Sequence, residues 1–370
     1  GSVTLTGVEG AGNATNRFGV RLQNSGAVTT AVNGGSLTLI GDSMDFTTGS
    51  PVIAANATVG VVTLLQRTNS TQINLGAADS AGVLGLTDAE LDRITAGTIQ
   101  IGDGSSGNLT ISGNITRTAA TALSLTGGAA INFTTGSLDS AGGNVSLNAG
   151  TTIGVAKTGV EVTATGAALT FGSGDDLSIV INGTTADTQY GQLNADANIN
   201  LTGLDLVLSG NHTPVAGQSF TIVNNTGGGT TSGTFNGLAE GANITNFLGS
   251  GLTANITYTG GTGNDVVLTV LSNGTLNAAL DGGGNLTVTD TNGLANTLTV
   301  TRSGSNLVIT DANEQFQSAP SGGVLSNGGK TLTIALANVT GSLIVDAGDG
   351  DDLLTVDLSG GNVTPAGGIV

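Results

Sequence analysis

A glycine-rich turn followed by an aliphatic strand carries the clearest chemical pattern in this sequence. Gly260-Gly261-Thr262-Gly263-Asn264-Asp265-Val266-Val267 fits the calcium-binding nonapeptide pattern G-G-x-G-x-D-x-U. Calcium takes six to eight oxygen ligands from carboxylates and turn carbonyls, and such a turn offers both. The pattern predicts Asp265 as a calcium ligand. An isolated aspartate in a glycine-rich turn also serves ordinary turn geometry, so that alternative stays open.

A second turn repeats the pattern without its first glycine. Gly348-Asp349-Gly350-Asp351-Asp352-Leu353-Leu354 concentrates three carboxylates just before an aliphatic run. We predict a calcium site at Asp349, Asp351 and Asp352. Sites of this type form between successive nonapeptides, whereas each match here stands alone in the sequence.

The residues needed for catalysis are sparse. His212 is the only histidine, and Asn211 and Pro214 place it in a turn. Asp175 and Asp176 are adjacent, and neighbouring residues of a strand point to opposite faces, so they are unsuited to paired acid–base work. No cofactor pattern was found, and the sequence predicts a protein that is not an enzyme.

Composition narrows the class of protein and its partners. The formal net charge is −18, and the eight basic residues are scattered singly, so neither nucleic acid nor an anionic membrane surface is an expected partner. Charged residues make up only 9% of the chain, yet 38% are hydrophobic, and there are 63 glycines and no cysteine. Short stacked strands bury aliphatic side chains under a threonine, serine and asparagine surface, which matches this balance. There is no run of eighteen apolar residues, and we expect no transmembrane segment.

The recurring unit is a short run that alternates aliphatic and hydroxyl residues between glycine or asparagine turns. Examples are Asn108-Leu109-Thr110-Ile111, Ala122-Leu123-Ser124-Leu125 and Asn144-Val145-Ser146-Leu147. Period-2 alternation predicts strands with one dry face, and a spacing near 22 residues is close to one coil of a three-sided β-helix. Within this pattern, Thr87 to Ile94 predicts a short helix, with Thr87 and Glu90 forming a capping box.

The repeat pattern and the size of the expected core residues change along the chain. We predict β-solenoid coils over residues 1–170, a terminal solenoid section with larger core residues over 171–273, and a second β-repeat unit over 274–370, with a boundary near 272–274. Both ends of the sequence fall inside repetitive patterns. This favours an excised or processed portion of a longer polypeptide.

Two stretches resemble known bacterial surface proteins. Leu86 to Gly97, followed by Ile99-Gln100-Ile101-Gly102, resembles a recurring segment of filamentous-haemagglutinin-like repeat proteins. Residues 187–270 are similar to the passenger-associated repeat of autotransporter-type proteins, through Tyr190-Gly191-Gln192-Leu193, Gly233-Thr234-Phe235 and the turn before Asp265. The resemblance implies a right-handed parallel β-helix exposed outside the cell or at its surface, in adhesion or surface structure.

Two non-enzymatic functions follow as expectations. The first is an adhesin or stalk segment that contacts host or matrix glycans or proteins. The second is a self-assembling subunit of an extracellular filament, sheath or surface layer, whose partners are other copies of itself or neighbouring repeats. The all-β composition supports both functions equally, and the family resemblance favours the first.

Overall fold

The computed structural model describes residues 1–9, 18–30, 35–156, 158–271, 275–291 and 295–370. Strands take up 47% of the chain and helices 4%, which confirms the predicted mostly-β class. The chain divides into two compact units. The first comprises Gly1–Thr213, Ser219–Ile244 and Asn255–Thr269, and the second comprises Pro214–Gln218, Thr245–Ala254 and Val270–Val370. The boundary predicted near 272–274 lies outside the described residues, and the three predicted sections stay a prediction.

Short strands with alternating buried and exposed residues build the first unit. Up to residue 209 they are β1 (Val3–Thr6), β2 (Val20–Arg21), β3 (Ala27–Thr29), β4 (Ser36–Ile40), β5 (Met44–Asp45), β6 (Val52–Ala54), β7 (Val61–Leu65), β8 (Gln72–Leu75), β9 (Val83–Leu86), β10 (Ile94–Thr95), β11 (Thr98–Ile101), β12 (Leu109–Ile111), β13 (Ile115–Thr116), β14 (Ala122–Gly127), β15 (Ile131–Phe133), β16 (Leu138–Asp139), β17 (Val145–Ala149), β18 (Thr152–Val155), β19 (Val162–Phe171), β20 (Asp176–Val180), β21 (Leu193–Asn200) and β22 (Asp205–Ser209). Those that follow are β23 (Ser219–Asn225), β24 (Thr231–Ser232), β25 (Asn243–Ile244), β26 (Thr253–Gly260) and β27 (Asp265–Leu271).

Most of these strands join one fifteen-stranded sheet, whose main path runs β1-β4-β7-β11-β14-β17-β19-β21-β23-β27-β26-β25. From β1 to β21 every pairing along this path is parallel. Leu125 lies beside Leu147, and Leu147 lies beside Phe171. Because the apolar residues share one register, they form continuous buried rows, and Leu125 and Leu147 are completely buried.

A seven-stranded sheet of the same unit runs β22-β20-β18-β15-β12-β8-β9, and its pairings are parallel throughout. Parallel neighbours come from successive stretches of chain, and from β11 to β22 each stretch adds one strand to the longer sheet and one to this sheet. The arrangement is consistent with a β-solenoid-like fold. The spacing is uneven: Leu123 and Val145 pair across 22 residues, whereas Val62 and Ile99 pair across 37.

The 37-residue interval between Val62 and Ile99 contains the predicted helix. Residues Asp88–Leu91 form α1, the Thr87 side chain accepts the Glu90 backbone N–H, and Glu90 accepts the Thr87 backbone N–H. This confirms the capping box. Glu90 Oε1 also accepts the backbone N–H of Phe46 at 3.4 Å, so the helix is fixed to a preceding stretch of the chain.

Parallel pairing changes to antiparallel pairing at β23 and β27. Larger side chains fill the core here, including Phe220, Phe235 and Tyr258, all buried. The parallel rows themselves run past residue 171 without a break, because β17, β19 and β21 pair in sequence.

Eight strands build most of the second unit: β28 (Leu276–Leu280), β29 (Leu286–Asp290), β30 (Thr297–Ser303), β31 (Asn306–Asp311), β32 (Gly323–Ser326), β33 (Thr331–Ala335), β34 (Leu343–Asp346) and β35 (Leu353–Val356). They form a three-stranded sheet, β28-β29-β34, and a five-stranded sheet, β32-β33-β31-β30-β35. Their inward residues, such as Val288, Val300 and Ile309, share one core. Short 3-10 helices span Phe247–Gly249, Asn327–Gly329 and Leu336–Asn338. Within the described ranges, the chain has no helix that is both long enough and apolar enough to span a bilayer.

Candidate functional site

Asp265 is buried at the start of β27, with 6% of its surface exposed. Its Oδ1 accepts the backbone N–H of Asn225 at 2.9 Å. Its Oδ2 lies where a Cβ at Gly261 would be, and Gly261 has a φ of +55°. Glycine is therefore required at this position, and both carboxylate oxygens are directed at backbone. Turn geometry accounts for Gly261, and Asp265 as a calcium ligand stays a prediction.

Asp349, Asp351 and Asp352 lie in the loop that joins β34 to β35. Because β34 pairs in parallel with β29 and β35 pairs in parallel with β30, the two ends of this loop lie beside the end of β29 and the start of β30. Asp352 Oδ1 accepts the backbone N–H of Asn296, just before β30, at 2.8 Å. The side chains of Asp349 and Asp351 are exposed. The turn that stood alone in the sequence is thus joined to Asn296 in the fold.

Metal binding at these turns stays a prediction. In the part of the chain that the structure describes, no three His, Cys, Asp or Glu side chains converge closely enough to hold an ion. Calcium at the 349–352 loop would require the exposed carboxylates of Asp349 and Asp351 to converge, with carbonyls of this loop completing the oxygen ligands that calcium needs.

The adjacent carboxylates Asp175 and Asp176 diverge, as alternation along a strand requires. Asp175 is 3% exposed and accepts the backbone N–H groups of Ala149 and Gly172 at 2.8 and 3.1 Å. Burial raises the pKa of Asp175, against the effect of these two hydrogen bonds. Asp176 lies on the half-exposed outer face. The buried carboxylate serves the backbone, and the two do not form an acid–base pair.

A partly buried carboxylate that the sequence did not reveal lies close to α1. Asp79 accepts the backbone N–H of Met44 through Oδ2 and that of Gly85 through Oδ1, both at 2.8 Å. Burial raises the pKa of Asp79 to about 7, and the negative charges of Glu90 and Glu9 add to the rise. Asp79 therefore links two stretches of chain. Nothing in its local sequence distinguishes it from a turn aspartate.

Hydrogen bonds between successive parallel stretches of the chain recur at asparagines that stand just before strands. Asn108 Oδ1 accepts the backbone N–H of Ala130 at 3.1 Å, and Asn144 Oδ1 accepts that of Ala168 at 3.0 Å. In each pair the donor lies in the next parallel stretch. These asparagines help to hold the polar turns of the first unit in register, because each satisfies a backbone N–H of the next stretch.

Comparison with known proteins finds no matching family model, no matching curated protein and no matching solved structure. The resemblance to surface repeat proteins therefore stays an expectation, and function is argued from the described residues alone.

Proposed function

We propose that this chain is a right-handed parallel β-helix segment of an extracellular bacterial surface protein, acting without catalysis as an adhesin or stalk. The observation that carries the proposal is the continuous series of parallel pairings from β1 to β21, with one register shift within β19. Each added stretch of chain extends the same buried rows, as in solenoids, whose stretches contact only their neighbours. Such a fold lengthens by repetition, which suits a protein that projects from a surface.

Two further observations support the proposal. Connections between parallel strands of one sheet are right-handed in about 98% of cases, which favours the right-handed form. The outward residues of strands such as β14 and β17 are serine, threonine and asparagine rather than lysine or glutamate. These outward strand residues are polar and uncharged, which suits contact with glycans or proteins. The whole chain has a net charge of −18, which disfavours contact with nucleic acid.

Three buried or partly buried carboxylates support a non-enzymatic role. Asp79, Asp175 and Asp265 each accept at least one backbone N–H, so their oxygens are engaged by turns of the chain. A general acid or base instead needs an oxygen that faces a substrate.

Labelling of intact cells tests the location. Antibodies raised against residues 1–370 should bind cells of the source organism before permeabilisation, and beads coated with the protein should adhere to a glycan or protein matrix. A cytoplasmic control protein should be labelled only after permeabilisation. Labelling of this chain only in permeabilised cells would reject the surface proposal, and an experimental structure with left-handed coils would reject the proposed fold.

Self-assembly is the second candidate, and one edge strand favours it. β35 lies at the end of the five-stranded sheet, and Leu353, Leu354 and Val356 are 57%, 42% and 40% exposed. An apolar edge strand with free backbone groups is a template for pairing with another chain. We take the partner to be a second copy. Because each copy carries a net charge of −18, salt should strengthen the association.

Electron microscopy across a concentration series separates the two candidates. Filaments or sheets that lengthen with protein concentration and salt, and that Leu354→Lys abolishes, would make assembly the function. Val59→Lys, at an exposed valine in a turn of the first unit rather than on an edge strand, is the matched control. Discrete particles at all concentrations would reject assembly and leave the stalk or adhesin proposal in place.

A further inference from the structure

Some outward polar side chains of the first unit make no hydrogen bond to a described residue, unlike the asparagines that join successive stretches. Asparagines before strands, such as Asn108 and Asn144, are each held by a backbone N–H of the next stretch. By contrast, four groups beside one groove make no side-chain hydrogen bond to any described residue: Asn132, Thr152, Ser178 and Thr188. Their donors and acceptors are available to a ligand.

Gly154 opens the floor of this groove. On the outer face of the seven-stranded sheet, Gly154 lies between Asn132 on β15 and Ser178 on β20. A Cβ at Gly154 would meet only the Asn132 amide, with Oδ1 at 2.7 Å, so the space above the backbone is otherwise open. The cavity measures about 360 Å³, within the range of small-molecule sites.

The wall of the groove is a loop, residues 182–191, whose conformation is fixed before any ligand arrives. Gln189 Oε1 accepts the backbone N–H groups of Thr184 and Thr185, both at 3.1 Å. The Gly191 N–H donates to the Val180 carbonyl at 3.0 Å, which fastens the end of the loop to β20. A preformed wall lowers the ordering cost of binding.

The charge of the lining favours a neutral ligand. Asp187 is the only charged residue among the described residues that line the groove. Its carboxylate accepts the backbone N–H of Gly159 at 2.9 Å and the side-chain amide of Asn194 at 3.0 Å. No described lining residue offers a positive charge to an anion, and the protein carries a net charge of −18.

Apolar surface lies next to the hydroxyl and amide groups. Val180 is 44% exposed, and Ala156 lines the same cavity. A pyranose ring presents C–H groups on its faces and hydroxyl groups around its edge. A groove with an aliphatic patch beside neutral donors and acceptors matches both parts of such a ring, whereas a purely apolar ligand would leave the polar groups unpaired.

We propose that this groove binds a neutral oligosaccharide. Asn132, Thr152 and Ser178 hydrogen-bond its hydroxyl groups, and Val180 packs against a C–H face. The site binds without catalysis. A role of this groove in adhesion rests on the proposed surface function. Binding of an oligosaccharide in solution can be measured independently of where the protein is located.

Calorimetry and saturation-transfer NMR with the whole chain test the proposal. The probes are maltotriose, cellotriose, laminaritriose, mannotriose and triacetylchitotriose, with trigalacturonate as the anionic comparison. At least one neutral probe should bind at least about tenfold more tightly than trigalacturonate. Gly154→Val should weaken that binding by about tenfold or more, because its side chain fills the floor and displaces the Asn132 amide.

Matched variants separate binding from folding. Valine suits a strand, so Gly154→Val should melt no lower than the unmodified chain. Thr110→Val changes the neighbouring outward position beside Asn132, outside the groove, and should leave binding unchanged. Asn132→Ala removes ligand contacts without filling the space and should also weaken binding.

Three results would overturn the inference: no neutral probe binding at about 10 mM, preferential binding of trigalacturonate, or unchanged binding in both Gly154→Val and Asn132→Ala. Failure to bind, combined with labelling of intact cells, would reject the groove and keep the surface function. Binding without surface labelling would reject only the surface function.

Discussion

Tyr258 accepts the backbone N–H of Phe235 through its hydroxyl oxygen at 3.0 Å and donates the hydroxyl proton to the carbonyl of Leu238 at 2.6 Å. One side chain thus satisfies two backbone groups of the segment that follows β24. Burial raises the pKa of Tyr258 to about 12, because the ionised phenolate would lose water and face Glu240.

Removing this hydroxyl should destabilise the antiparallel end of the first unit. Tyr258→Phe leaves a buried N–H and a carbonyl unpaired, and we expect it to lower the free energy of unfolding by about 1–3 kcal/mol. Chemical denaturation measures this loss. Tyr190→Phe, at the other buried tyrosine, is the comparison and should cost less, because the backbone of Thr221 is the one partner of the Tyr190 hydroxyl among the described residues. Equal losses in the two variants would contradict the double role of Tyr258.

The same pair of variants isolates the tyrosine titration. The chain has two tyrosines and no tryptophan, so Tyr190→Phe leaves Tyr258 as the only phenol. Its absorbance at about 295 nm should rise with a midpoint near pH 12 in the folded protein, against about 10 for a free tyrosine. Since the unfolded chain releases this proton first, stability should fall as the pH rises from about 10 towards 12. A midpoint near 10 while the protein is still folded would show that Tyr258 is exposed.

Asp79 should make stability depend on pH at the acidic side. Its folded pKa of about 7 exceeds the unfolded value of 3.8, so the folded state holds the proton more tightly. This contribution to the free energy of unfolding is fully present below about pH 4 and is lost as the pH rises to about 7. Denaturation curves across that window should show a fall that Asp79→Asn removes.

An exposed aspartate provides the control for general charge repulsion. Asp349→Asn removes one negative charge from a solvent-exposed loop and should leave the shape of the curve between pH 4 and 7 unchanged. Parallel curves of unfolding free energy against pH for the unmodified chain and Asp79→Asn would show that the Asp79 carboxylate does not titrate between pH 4 and 7. Direct observation of the Asp79 side-chain carbon by NMR would give the same answer for the single residue.

The asparagine bonds between successive stretches predict a contrast between two similar residues. Asn144→Ala removes the acceptor of the Ala168 N–H and should cost about 0.5–1.5 kcal/mol of unfolding free energy. Asn132→Ala removes an amide that bonds to no described residue and should cost less than about 0.5 kcal/mol. If both variants lose the same stability, Asn132 has a structural role and the groove loses one of its ligand contacts.

Local features of this fold could be predicted because local residues determine them. The alternation in Leu123-Ser124-Leu125 and Val145-Ser146-Leu147 gave both strands and the 22-residue spacing that pairs them. The capping box of Thr87 and Glu90 depends on residues three positions apart. In both cases the deciding contacts follow from a fixed period, so the sequence contains the information directly.

Features that depend on distant residues could not be predicted. Asp79 resembles an ordinary turn aspartate in the sequence, yet it accepts the backbone N–H of Met44, 35 positions away. Gly154 reads as a turn glycine, yet it lies inside β18, where its missing side chain opens the groove. Asp352 accepts a hydrogen bond from Asn296, 56 positions away, and the sequence did not reveal this contact. Irregular spacing between parallel strands removes the regular period that would have revealed these contacts.

Calcium remains the predicted ligand of the 349–352 loop, and thermal melting with and without the ion tests it. Millimolar Ca²⁺ should raise the melting temperature, because an ion bound only to the folded state stabilises it by mass action. The double variant Asp349→Asn and Asp351→Asn should remove the rise, whereas Asp265→Asn should keep it, because the Asp265 carboxylate is directed at backbone. Mg²⁺ at the same concentration should have a smaller effect, because it demands a stricter geometry and gives up its water reluctantly. Equal shifts with Mg²⁺, or an unchanged shift in the double variant, would assign the effect to screening of the net charge of −18 rather than to a site.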